Sequence, residues 1–158
     1  MREIVYDLFP IPVLKDNIAV PFRILEYIKS VKYFRHDNGY ITHQQLLDDP
    51  PLTVIKELIT QKVKKYFYDY CQYSEEAKPV LTSSWANLHK KGDYGQMHYH
   101  QNSLITFVWY PLVDDNSGSF TIYPKMDLFG DAFAFPKNQN NKYNTPYLSL
   151  TPQNGDIY

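Results

Sequence analysis

A single cysteine, Cys71, stands in the 158-residue chain, so no internal disulfide can form. It falls inside a helical pattern and reads as a packed thiol of a reducing compartment. Excess charge is also missing: 16 basic and 17 acidic residues leave a net charge of −1, and like charges run no longer than pairs such as Lys64-Lys65 or Glu75-Glu76. A chain so balanced carries no electrostatic footprint for nucleic acid or an anionic membrane. No apolar run approaches the ~20 residues that cross a bilayer, and no basic-then-apolar N-terminal stretch has the form of a signal peptide. These absences set the expectation of a soluble, cytoplasmic protein. Its expected partner is a small-molecule or peptide substrate, with no nucleic acid, no membrane, and a homodimer left open.

What the chain does have is aromatic surface, with 15 tyrosines and nine phenylalanines. Such residues favour pleated, half-buried positions, and a strand-rich core is the economical expectation. At this length one domain, residues 1–158, can bury roughly two-thirds of its unfolded surface. Residues 1–79 read as an arm and helices, and residues 80–158 as a β core. Residues 4–14 are apolar with prolines at 10 and 12, which suits an edge strand or extended arm. Phe22, Leu25, Ile28 and Val31 recur at three-residue intervals after Pro21 and predict a helix of about ten residues. From Leu52 the positions Ile55, Leu58, Ile59, Val63, Tyr66, Phe67 and Tyr70 keep helical spacing, predicting a helix over 52–72 that packs on a sheet.

Beyond Pro79 the texture changes to short strands over residues 80–88, 104–110, 119–123 and 147–150. Ser83, Trp85 and Asn87 share one face of the first. A long loop over 135–146 has the length of a lid or binding loop. Gly155-Asp156-Ile157-Tyr158 reads as the opening of a strand that is expected to continue past residue 158.

The chemistry centres on Gly92-Asp93-Tyr94-Gly95-Gln96-Met97-His98-Tyr99-His100, which runs into the apolar stretch 104–110. Strand residues i and i+2 share a face, so His98 and His100 can reach one point, as ligands of Zn, Cu, Fe or Ni do. Two half-exposed surface histidines are the plain alternative. His36 and His43 fall in a polar connector, and His89 beside Lys90-Lys91 suits a solvated role.

Taken together, Leu8-Phe9-Pro10-Ile11-Pro12-Val13, Trp85, Asn87, Gly92-Asp93, His98-Tyr99-His100-Gln101-Asn102-Ser103, Ser117-Gly118-Ser119-Phe120 and Pro152-Gln153-Asn154-Gly155-Asp156 resemble the iron(II)/2-oxoglutarate-dependent oxygenases of phage and marine bacterial genomes. The resemblance implies an α+β, mainly β fold, a prolyl-hydroxylase-like double-stranded β-helix of jelly-roll type with N-terminal helices packed on the sheet. It implies Fe(II) and 2-oxoglutarate as cofactors and a hydroxylase-type dioxygenase, in the cytoplasm of a bacterium or of a phage-infected host. His98 and His100 would be metal ligands; Trp85, Asn87 and Tyr110 would line the cofactor site. The resemblance also implies a third ligand and a basic clamp for 2-oxoglutarate on residues after the Gly-Asp-Ile-Tyr strand. The second histidine departs from the usual His-x-Asp or His-x-Glu. Two other readings stand beside this one. The Gly92 and His98-x-His100 spacing fits the start of a cupin pattern, although Leu104 and Ile105 occupy the place of its glutamate. The same barrel without chemistry would be a phage structural or binding module.

Overall fold

Three-residue and four-residue spacing of aliphatic side chains builds the helical side. Pro50–Leu52 forms a 3₁₀ turn that leads into α2, Thr53–Lys65, and a π turn, Tyr66–Tyr70, finishes it. Ile55 and Ile59, one turn apart, point into the core with Leu52 and Phe67. The preceding helix, α1, Phe22–Ser30, buries Ile24 and Ile28. The predicted stripe had Phe22 in it, yet Phe22 is 77% exposed: the buried face runs along the i, i+4 row of Ile24 and Ile28, with Tyr27 and Val31 beside it. Tyr27 donates its hydroxyl to Asp49 Oδ2 at 2.6 Å, which fixes α1 to the turn before α2. Cys71 caps the π turn and is partly exposed rather than packed.

The computed structural model describes residue 4, residues 11–123 and residues 147–158. Most of the expected arm and the whole loop over 135–146 lie outside the described residues. The chain divides into two compact units, one of residues 14–113 and 153–158, the other of residues 1–13 and 114–152. In the second, β5, Phe120–Ile122, pairs antiparallel with β6, Leu148–Leu150, Phe120 opposite Leu150.

The larger unit holds two small sheets. A hairpin joins β2, Phe34–His36, to β3, Gly39–Ile41, through Asp37-Asn38, with Asp37 at φ 45°. That positive φ suits a two-residue hairpin turn. Residues expected in a polar connector are therefore a hairpin, and the other side of β3 pairs with β4, Asn87–Leu88. Of the strand expected over 80–88, the named strand is these two residues, preceded by a parallel bridge between Gln45 and Ser84. The second sheet centres on β7, Asp156–Ile157. It pairs antiparallel with β1, Asp16–Asn17, on one edge. On its other edge Val108 and Tyr158 exchange both backbone hydrogen bonds at 3.0 Å, and Tyr110 N–H reaches Asp156 O at 2.8 Å. The strand expected over 104–110 thus contributes residues 108–110 to a ladder.

Ile157 of β7 and Ile18 beside β1 join Ile24, Ile28, Leu46, Leu47, Leu52, Ile55 and Ile59 in one buried cluster. Each such side chain contributes about 1.5–3 kcal/mol of burial. The architecture is α+β, with helices against short antiparallel sheets, and none of its helices is long and apolar enough to cross a membrane among the described residues.

Gly155 shows how tightly β7 is delivered. It has φ +87°, and a Cβ there would lie 2.8 Å from Ile18 O and 2.9 Å from both polar atoms of the Asn17 side chain. Gly155→Ala therefore meets strain and a backbone clash together. We expect it to cost about 2–4 kcal/mol, read as a lower urea midpoint with the m-value unchanged. An unchanged midpoint would refute this placement of the turn.

Candidate metal site

Residues 93–100 leave the β2–β3–β4 sheet as irregular backbone outside the named strands, so the shared face of a strand is not what brings His98 and His100 together. Their rings nevertheless meet, with centroids 5.0 Å apart and planes at 83°. The spacing has a chemical meaning. A metal about 2.0–2.1 Å from each imidazole nitrogen sits about 3.2 Å from each ring centre, so two ligands in cis positions have centroids about 4.5–5 Å apart.

His98 is exposed and held by a local bond: its Nδ1 lies 2.7 Å from Gln96 O. A carbonyl only accepts, so Nδ1 carries the proton and Nε2 keeps its lone pair for a ligand. This is how the outer nitrogen of a metal-binding histidine is usually fixed. His100 is half-buried, with the Trp85 ring 5.5 Å away. Burial, and then the neighbouring His98, hold its pKa below the ordinary 6.5. Both effects favour the neutral imidazole, the form that ligates.

Of the other expected cofactor-site residues, Trp85 lies beside the pair. Asn87 is exposed in β4, opposite Ile41. Tyr110 sits in the β7 ladder, its ring edge-on to Tyr158 at 6.0 Å, and burial pushes its hydroxyl up to about 12. The structure thus brings Trp85, His98 and His100 together and sets Tyr110 against the C-terminal strand. Among the described residues, no group of three or more His, Cys, Asp or Glu side chains is placed to hold a metal. The described donors, His98 and His100, therefore fit two positions of a three-ligand site.

Asp156, on the strand that would lead to a distal ligand, has its carboxylate engaged elsewhere. Oδ2 accepts from Lys15 Nζ at 2.8 Å, from Gln153 N–H at 3.0 Å and from the Tyr158 hydroxyl at 3.1 Å. Asn17 Nδ2 reaches Oδ1 at 3.4 Å.

Trp85, Asn87, His98, His100 and Tyr110 all fall within one stretch that is similar to a known family. Residues 83–158 match the model of the family described as "Putative 2OG-Fe(II) oxygenase". The matched stretch is 76 of the 158 residues, and it supports an iron(II)/2-oxoglutarate oxygenase at family level. No curated protein and no solved structure matches the chain.

Reasoning from the sequence found the histidine pair and missed its support. Gln96, two residues before His98, supplies the orienting carbonyl, and nothing in its residue type announces a backbone role.

Proposed function

We propose that the chain is an Fe(II)/2-oxoglutarate-dependent dioxygenase of hydroxylase type, with His98 and His100 as two of the iron ligands. The observation that carries this reading is the perpendicular imidazole pair at 5.0 Å with His98 Nδ1 tied to Gln96 O; the family match over residues 83–158 supports it. When bound, the metal and cosubstrate supply the oxidising chemistry, in which oxygen is shared between succinate and a hydroxylated substrate. The protein's residues do simpler things. Gln96 orients His98, and Trp85 stands beside His100. Asn87 and Tyr110 are proposed as cofactor-side residues, within a double-stranded β-helix that the antiparallel pairs of residues 83–158 would belong to. A small molecule or peptide is the proposed substrate, and the cytoplasm the proposed location.

A second reading follows from one observation. With two imidazoles and no group of three His, Cys, Asp or Glu side chains placed for a metal among the described residues, a metal-free binding module on the same scaffold is the competing assignment. Anaerobically reconstituted protein given Fe(II), oxygen and 2-oxoglutarate separates the two. The dioxygenase reading expects slow succinate formation without any prime substrate by protein that carries the third ligand and the 2-oxoglutarate clamp, lost in His98→Ala; succinate from that protein at the level of free Fe(II) supports the binding module.

A further inference from the structure

Gly39 has no positive φ to account for a glycine, yet a Cβ on it would lie 2.5 Å from His89 Cδ2 and 2.9 Å from His89 Nε2. The imidazole of His89 therefore lies directly against the bare backbone of β3. A Cβ on Gly95 would stand 3.7 Å from Cε1 of the same exposed ring, an ordinary contact distance. Two glycines far apart in sequence thus face one ring, and only the first is so close that any side chain would displace it. Gly95 immediately precedes Gln96, whose carbonyl holds His98 Nδ1.

The register explains how the ring gets there. His36 pairs with Gly39 across the hairpin, and Tyr40 pairs with Leu88, so His89, the next residue, comes level with Gly39. A side chain on Gly39 would fill the place the ring takes. Without one, His89 turns over β3 and presents its edge to the segment of residues 92–97. Among the described residues that segment is fixed mainly at Asp93, whose carboxylate also faces Arg35 of β2 at 3.6 Å. Asp93 N–H donates to Lys90 O at 2.9 Å, and the Asp93 carboxylate accepts from Lys90 N–H at 2.9 Å. Both bonds lie at its start, so His89 meets the segment nearer the ligand.

We infer that His89 is a positioning residue for the proposed metal site: seated against Gly39 of β3 and next to Gly95, its ring holds the backbone from which the Gln96 carbonyl orients His98. It is neither a ligand nor a catalytic residue. The inference rests on the reading of His98 as a ligand, but its mechanical part is testable without any metal.

The test uses the whole chain with ¹⁵N-labelled histidine, at a pH where the imidazoles are neutral, and reads the His98 tautomer by NMR. Wild type is expected to show the proton on Nδ1. His89→Ala removes the ring, and Gly39→Ala drives the ring off β3 while leaving His89 in the sequence; both are expected to give a mixture of the two His98 tautomers. His89→Phe, which keeps a flat ring, is expected to retain the Nδ1 form, whereas a merely structural contribution would scale with thermal stability in all three. A second arm titrates Mn(II) anaerobically and expects affinity about 10-fold weaker in His89→Ala than in His89→Phe, the scale of an outer-shell change. An unchanged tautomer in His89→Ala, or an Nε2 proton in wild type, overturns the inference. Tautomers that shift as expected in a protein that takes up no Mn(II) uphold the positioning role and reject the metal site.

Discussion

Asp156→Ala is expected to lower the thermal midpoint by roughly 10 °C. The carboxylate is buried, yet four groups donate to it, and they come from opposite ends of the chain: Lys15 and Asn17 from the β1 side, Gln153 and Tyr158 from the C-terminal turn and strand. Removing it takes away the Oδ2 acceptor that the Gln153 N–H and the Tyr158 hydroxyl share beside the β7 ladder. It also releases the Lys15 ammonium, which lies 5.3 Å over the Tyr158 ring. The Lys15 contact, aided by the Gln153 N–H, Asn17 and Tyr158 and opposed by burial, pulls the Asp156 pKa from its ordinary 3.8 down to about 2. A carboxylate depressed by folding contributes stability that is present above the ordinary value and lost as pH falls toward the depressed one. Wild type is therefore expected to lose stability between pH 4 and pH 2, and Asp156→Ala to lose less over that interval. Parallel pH curves for the two proteins would show that the carboxylate is not the anchor.

His98→Ala is expected to weaken anaerobic Mn(II) binding by at least tenfold, because one of only two described donors disappears, and outer-shell losses alone reach ~10–100-fold. His100→Ala should match it. The binding in wild type is expected to strengthen as pH rises through the histidine range, since each ligating imidazole must shed its proton first. His100 meets that condition early: its pKa is lowered by burial and by His98. Isothermal titration at several pH values checks both parts, and equal affinity in wild type and His98→Ala would remove the site.

The legible parts of this fold were those where local pattern and tertiary demand agree. Aliphatic spacing placed α1 and α2 within a few residues, and Pro50-Pro51 marked the 3₁₀ entry to α2. Asn154-Gly155 announced the turn whose glycine takes φ +87°. Tyr66, Phe67 and Tyr70, which keep the helical spacing of residues 52–72, finish that helix as a π turn, a change of pitch that spacing alone does not show. The hairpin of β2 and β3 carried a signal, Asp37-Asn38-Gly39 between aromatic residues, but three-residue strands are too short for alternation to stand out. In the proposed site, the histidine pair was visible because two histidines one residue apart are a local pattern. Its support was not. The contact of Gly39 with His89 depends on the register of three strands, and the contact of Lys15 with Asp156 spans nearly the whole chain.

Pulsed EPR on Mn(II) bound to the chain, with and without ¹⁵N in its histidines, counts imidazole nitrogens at the metal directly. Two coupled nitrogens in wild type, one in His98→Ala and one in His100→Ala are predicted. Bound Mn(II) with no histidine coupling, or with coupling that survives both substitutions, would contradict the assignment of His98 and His100 as ligands.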